Sequence, residues 1–255
     1  MFMIKYGLKL WSADKQWFAE AVELCKQGKI DFIELYIVPN SFDEESWQIL
    51  KQAPVVVHSQ HSGHGFNIFD LDNEKIKTFQ EQIIRAADFF NSQFIIVHAG
   101  VGRDKEVFRS NIAKIFDKRI LIENMPKVSM DDKICFGHLI EELEAIKKES
   151  DIDICLDFGH SFCSSLSQGL DYKDFIKSTM ERLCPTYFHL SGIDPKSEKD
   201  FHLNLYESDV SIIKWIKEIL QKVADRQDIN LVFEVPKNNI DLANDLKNID
   251  YFKSL

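Results

Sequence analysis

Short runs of apolar residues recur along the chain at fairly regular intervals, separated by longer segments with helical periodicity. Eight of these runs have the length and composition of buried strands. They cover residues 4–10, 32–37, 54–58, 94–98, 120–123, 152–157, 186–190 and 231–234. Because short buried strands alternate with helical segments, the pattern predicts βαβ units and a parallel sheet.

The segments between the strands carry apolar residues three and four positions apart. In residues 74–90, for example, Ile76, Phe79, Ile83 and Phe90 fall on one helical face. Further helices are predicted at residues 136–148, 172–183 and 210–223, and residues 99–119 leave room for only a modest helix. Eight units predict an α/β fold, a single (β/α)₈ TIM barrel over residues 1–255, with a doubly wound open sheet as the alternative.

Composition agrees with one large globular domain. The chain has 255 residues, of which 45% are hydrophobic, and no Gly-, Ser- or Pro-rich linker divides it. It begins without a signal-peptide pattern and contains no run long enough to span a membrane. The five cysteines are scattered and form no CxxC pair. We therefore expect a cytoplasmic protein with reduced thiols and no membrane association.

The chemically informative residues stand at the carboxyl ends of the predicted strands. Metal-competent side chains end nearly every run: Glu34, His58 with His61, His98, Glu123, Asp157 with His160, His189, and Glu234. In a barrel these ends share one face, so the side chains are expected to meet in space. Charged groups at buried positions are costly unless they are paired or coordinated, and their recurrence on strand after strand indicates a shared site.

The ligand types indicate which metal such a site would take. Asp157 and His160 are spaced to enter one cleft from a strand end and the following turn, and Asp200 with His202 offers a second carboxylate–imidazole pair. Mixed imidazole and carboxylate donors suit Zn²⁺, Mn²⁺ or Fe²⁺ better than Ca²⁺ or Mg²⁺. Since the set contains no thiol, a structural zinc site is disfavoured. We predict a catalytic divalent metal, Zn²⁺ first and Mn²⁺ as the alternative.

These motifs resemble the superfamily of endonuclease IV (AP endonuclease family 2) and the xylose isomerase-like sugar isomerases and epimerases. The similarity runs over most of the chain and includes a His six residues before an Asn (His61, Asn67), the Glu-Asn at Glu123, the Asp-x-x-His at Asp157 and the Asp-x-His at Asp200. The resemblance implies three metals with Glu123 as a bridging ligand. The implied ligand sets are His61, His98 and Glu123; Glu123, Asp157, His189 and Glu234; and His160, Asp200 and His202.

The resemblance leaves two functions open. The first is hydrolysis of a phosphoester by clustered metals, with Arg103 paired to the phosphate. The second is isomerisation or epimerisation of a sugar with one metal, in which Glu123 and Glu234 act as acid and base. Glu34, which closes the second strand as in the sugar-isomerase branch, and His58 are also expected to bind substrate. The complete ligand set favours the hydrolase.

The sequence matches the DNA-recognition residues of endonuclease IV less well than it matches the metal ligands of that family. The loop after the third strand reads SGHGF, without the Tyr-Leu pair that endonuclease IV inserts into DNA, and the Gly-rich first loop and the basic segment after the second strand are absent. A net charge of −10 also argues against a protein that grips a polyanion over a broad face. The expected substrate is a phosphoester or sugar-type small molecule, with DNA as a further partner whose recognition residues are not matched.

Overall fold

Eight parallel strands close into a barrel in the computed structural model, which describes residues 2–237 and 240–255. The strands follow one another in sequence order, and β8 pairs with β1. They are β1 Ile4–Trp11, β2 Phe32–Tyr36, β3 Val55–His58, β4 Ile95–His98, β5 Ile120–Glu123, β6 Asp153–Asp157, β7 Tyr187–Leu190 and β8 Ile229–Phe233. This confirms the predicted (β/α)₈ barrel and excludes the open sheet, whose outer strands do not pair.

Helices surround the barrel between the strands. They are α1 Phe18–Lys26, α2 Glu44–Trp47, α3 Asn73–Thr78, α4 Arg85–Phe90, α5 Lys105–Ile112, α6 Ile140–Ser150, α7 Phe158–Ser167, α8 Tyr172–Leu183, α9 Val210–Ala224 and α10 Ala243–Ser254. A wider, π-helical turn joins α3 to α4 within the predicted helix 74–90. No helix within the described ranges is long and apolar enough to cross a membrane.

Helix α6 begins four residues later than the apolar periodicity predicts. Gly137 has a φ of 80°, which lies outside the helical region. The carboxylate of Glu142 then accepts hydrogen bonds from the backbone N–H groups of Gly137 and Leu139, at 2.8 and 3.3 Å. The segment before Ile140 is therefore a capped entry into the helix.

Side chains along each strand alternate between the surrounding helices and the barrel interior. The interior contains an apolar layer with one residue from each of seven strands: Phe32, Val56, Ile96, Leu121, Cys155, Tyr187 and Val232. On β1 the corresponding place is taken by Gly7, where a Cβ atom would lie 2.5 Å from the Phe32 ring. Glycine at this position leaves room for Phe32 to fill the interior.

A polar layer lies two residues further along every strand, at the carboxyl end of the barrel. Because the side-chain period is two, these residues have the same inward phase as the apolar layer. The polar layer consists of Lys9, Glu34, His58, His98, Glu123, Asp157, His189 and Glu234. Seven strands, together with Glu234 directly after β8, thus each contribute one polar side chain to the same end of the barrel.

Candidate metal centre

Glu123, at the end of β5, stands at the centre of the site and is completely buried. Its Oε2 lies 3.1 Å from Nε2 of His58 and 3.2 Å from Nε2 of His98. Its Oε1 lies 3.3 Å from Nδ1 of His189 and 3.4 Å from Nδ1 of His160. The two oxygens therefore face different sets of histidines, which is the arrangement required of a carboxylate that bridges two ions.

A group of three potential ligands, His160, Asp200 and His202, lies on one side of Glu123. Asp157 is the N-cap of α7 and accepts a hydrogen bond from the backbone N–H of His160 at 2.6 Å. The Nδ1 of His160 bonds to the carbonyl oxygen of Asn124 at 2.8 Å, and its Nε2 lies 3.8 Å from Oδ2 of Asp200. The start of α7 therefore orients the His160 imidazole so that its Nε2 faces the Asp200 carboxylate.

Gly159 allows Asp200 to approach this helix. A Cβ atom at Gly159 would lie 2.4 Å from Oδ2 of Asp200. The same oxygen is 3.5 Å from Nε2 of His202, which follows in the loop after β7. A glycine is therefore required at position 159 for Asp200 to pack beside His160.

A second group combines Glu123, Asp157, His189 and Glu234, all of them buried. The Nδ1 of His189 lies 2.8 Å from Oε1 of Glu234 and 3.3 Å from Oε1 of Glu123. All four residues offer ligand atoms within 4.8 Å of one another. Three carboxylates this close repel one another, and the Lys9 ammonium at Glu234 offsets part of a repulsion that a bound cation would relieve further.

Unsatisfied polar atoms provide a test of whether a metal fits. Within residues 2–237 and 240–255, seven buried side-chain atoms lack a hydrogen-bond partner, and five of them belong to this site. The five are Glu34 Oε1, Glu123 Oε1, Asp157 Oδ2, His189 Nδ1 and Asp200 Oδ2, of which Glu34 Oε1 and His189 Nδ1 lie within ion-pair distance of Lys9 and Glu234. A buried polar atom without a partner is costly, and metal coordination would satisfy those that converge on one group. The donor set, imidazole and carboxylate without thiolate, suits Zn²⁺ or Mn²⁺.

The pKa shifts are those expected of crowded buried charges. Burial raises the pKa of Asp157 to about 6; His160 opposes this rise, and Asp200 adds to it. For His160, burial acts to lower the pKa, but Asp157 and Glu123 outweigh it and raise the pKa to about 9. A metal ion would compete with these protons, so metal binding is expected to release protons and to weaken at low pH.

His61, expected as a ligand of the first metal, lies at the mouth of the site. Its ring stacks on His98 with centroids 5.8 Å apart, and its Nδ1 accepts a hydrogen bond from the backbone N–H of Gly63 at 3.0 Å. Burial, followed by the neighbouring histidines, lowers the pKa of His61 to about 3. The group that contains His98 and Glu123 is completed by His58. Metal binding by His61 stays a prediction, and His58 is a second candidate for that place.

The three residues expected to bind substrate occupy different environments. Glu34 and His58 are completely buried, whereas Arg103 is exposed in the loop after β4. The Asn67 side chain exchanges two hydrogen bonds of 2.9 Å with the backbone of Val101 and so holds the start of that loop. Substrate binding by these three residues stays a prediction.

Lys9 belongs to the site, although it is not among the strand-end residues that the sequence predicts. Its ammonium contacts the Glu234 carboxylate and lies 3.4 Å from Oε1 of Glu34. Burial acts to lower the pKa of Lys9, but Glu234 and Glu34 outweigh it and hold the pKa above its usual value. A signal was present in the sequence, because Lys9 lies two positions after Gly7 and shares the inward phase of β1.

The chain is similar to known proteins in both sequence and fold. A family profile described as xylose isomerase-like TIM barrel matches residues 19–255. Endonuclease IV from Thermus thermophilus is 18% identical over 98% of each chain, with a TM-score of 0.67. The 3-keto-D-glucoside 4-epimerase from E. coli is 11% identical over 99% of this chain and 100% of that chain, with a TM-score of 0.66. Identities this low show the fold alone. No curated protein sequence gives a significant match.

Proposed function

Because the chain belongs to the xylose isomerase-like TIM barrel family, we propose that it is a divalent-metal-dependent enzyme that hydrolyses a phosphoester with a cluster of ions. The observation that carries the proposal is the contiguity of the ligand groups around Glu123. Three of the four groups of potential ligands in the described part of the chain carry it: His58, His98 and Glu123; Glu123, Asp157, His189 and Glu234; and His160, Asp200 and His202; the fourth combines Glu34, His58, His189 and Glu234. A site for one ion needs only one of them.

The roles of the side chains follow from their places in the site. Bound divalent ions would supply a water of lowered pKa and would offset the negative charge of a phosphoryl group. Glu123, whose two oxygens face different histidines, would help to hold the ions, and Glu234 would complete the second group. Arg103, on the loop that follows His98, is proposed to form a bidentate pair with the phosphate.

The class of substrate is proposed from charge and from the loops. A chain with a net charge of −10 repels long polyanions, so a small phosphoester fits better than a long nucleic acid. Endonuclease IV, among the similar structures, is a nuclease by name, and this supports the reaction class without fixing the substrate. We therefore place small phosphodiesters first and DNA with an abasic site second.

A second candidate is the isomerisation or epimerisation of a sugar with one ion in the second group. The observation in its favour is that Glu123 and Glu234 both approach Nδ1 of His189, at 3.3 and 2.8 Å. Two carboxylates that flank one ion are suited to exchange a proton as acid and base. The epimerase among the similar structures supports this class.

Hydrolysis assays on single variants test the proposal. Purified protein should cleave bis-p-nitrophenyl phosphate in the presence of zinc or manganese, and His160→Ala and His202→Ala should lose most of that activity. His138→Ala is the matched control, because His138 bonds to the backbone of Cys135 and belongs to none of the three groups. Absence of cleavage of this compound, of p-nitrophenyl phosphate and of abasic DNA, together with epimerisation of a keto-sugar, would favour the second candidate.

A further inference from the structure

A buried network joins His189 to Glu34, which also belongs to a fourth group of potential ligands with His58 and Glu234. The Oε2 of Glu34 accepts a hydrogen bond from the Tyr187 hydroxyl at 2.6 Å and lies 2.9 Å from Nε2 of His189. All three residues are 0% exposed. The other oxygen of Glu34 lies 3.4 Å from the ammonium of Lys9. Two donors and one cation thus surround a carboxylate that solvent does not reach.

This network determines which nitrogen of His189 faces the ligand group. In the neutral imidazole that metal binding requires, an Nε2–H that donates to Glu34 leaves the lone pair of Nδ1 free. Nδ1 is 2.8 Å from the carboxylate of Glu234 and 3.3 Å from that of Glu123, so it faces the ligand group. Histidines that bind metals generally donate their other N–H to a carboxylate or a carbonyl, which fixes both the ring and the tautomer.

We propose that Glu34 is a positioning residue that orients His189 toward a metal ion, with Lys9 balancing its charge and Tyr187 fixing its second hydrogen bond. The inference rests on the proposed metal-dependent function and adds a layer of residues behind the ligands. It also gives Glu34 a role other than the substrate contact that the sequence predicts. The Oε2 of Glu34 is engaged by the Tyr187 hydroxyl and by Nε2 of His189, so Glu34 can act on the ligand group through that imidazole.

The experiment compares zinc affinity in three proteins by competition with a chromophoric chelator. Glu34→Leu removes the acceptor and should lower the affinity for one zinc ion about 10–100-fold, which is the usual effect of losing such a partner. The affinity for the remaining ions should be unchanged. Glu34→Gln retains an oxygen that can accept from Nε2–H, so it should restore most of the affinity. Wild-type affinity for every ion in Glu34→Leu, with a raised KM for the phosphoester, would overturn the inference in favour of substrate contact.

Tyr187→Phe tests the same network if Glu34→Leu does not fold. It removes one hydroxyl and leaves the acceptor, so a smaller loss of affinity at the same ion is expected. Tyr206→Phe is the matched control, because the Tyr206 hydroxyl bonds to Asn244 outside the ligand groups and its loss should leave the zinc affinity unchanged. Equal zinc affinities in Tyr187→Phe and Tyr206→Phe would contradict the proposed network.

The two proposals fail on different measurements. A wild-type chain that holds a single ion would contradict the clustered hydrolase. The effect of Glu34→Leu on that one ion would still decide whether Glu34 positions His189. Conversely, several ions in the wild type and full affinity in Glu34→Leu would leave the proposed function intact and remove only the inference.

Discussion

Replacing Lys9 by methionine should destabilise the metal-free protein strongly. The Lys9 side chain is 12% exposed and touches two carboxylates that are 0% and 6% exposed. Removing one partner of a buried ion pair costs about 3–5 kcal/mol, because the remaining charge is left uncompensated. His189 remains 2.9 Å from Glu34 and 2.8 Å from Glu234, so we expect a value near the lower end, about 3 kcal/mol.

Urea unfolding in the presence of a chelator measures this difference near neutral pH. Lys5→Met is the matched control on the same strand, because the Lys5 ammonium is exposed and lies 3.9 Å from an exposed Asp228. Such surface pairs contribute about 0–1 kcal/mol. The difference between Lys9→Met and wild type should shrink when zinc is added, since bound ions compensate Glu234. A Lys9→Met protein no less stable than Lys5→Met would refute the reasoning.

Three further predictions concern protons and metal. Burial raises the pKa of Glu34, but His189 and Lys9 outweigh it and lower the pKa from 4.5 to about 2, so its contribution to stability should be present above pH 4.5 and lost as the pH falls toward 2. Urea unfolding in the presence of a chelator, repeated between pH 4.5 and 2, checks this, and a constant free energy of unfolding over that pH range would contradict it. Chelation should abolish activity and lower the Tm, because an ion that binds only the folded state stabilises it; unchanged activity and Tm after verified metal removal would disagree. His98→Ala should lose about one ion per chain, measured by elemental analysis against His138→Ala, and full metal content in His98→Ala would count against its role as a ligand.

The barrel was predictable from the sequence because buried strands of a parallel barrel are short, apolar and separated by periodic helices. The strand-end residues were predictable for the same reason, since a period of two carries the inward phase from the apolar layer to the polar one. Val56 and His58 illustrate this phase on β3. The same phase places Lys9 after Gly7, but lysine is not a usual metal ligand, so the pattern of metal-competent residues does not include it.

Other features depend on tertiary geometry that spacing alone does not contain. Asp157 was expected at a strand end followed by a turn, whereas it caps a helix that begins at once and carries His160. The choice between His58 and His61 depends on how the chain turns after β3. The approach of Asp200 to Gly159 brings the loop after β7 against the first turn of α7, about forty residues earlier in the chain, and only the folded packing shows it.

Elemental analysis of protein purified without chelators tests the clustered site most directly. The arrangement of ligand groups around Glu123 predicts about two to three divalent ions per chain, with about one ion lost in His160→Ala or His202→Ala. A single ion that survives incubation with excess zinc and manganese, is retained in those two variants and is released only by changes at Glu123, Asp157, His189 or Glu234 would contradict the cluster and support a one-metal isomerase.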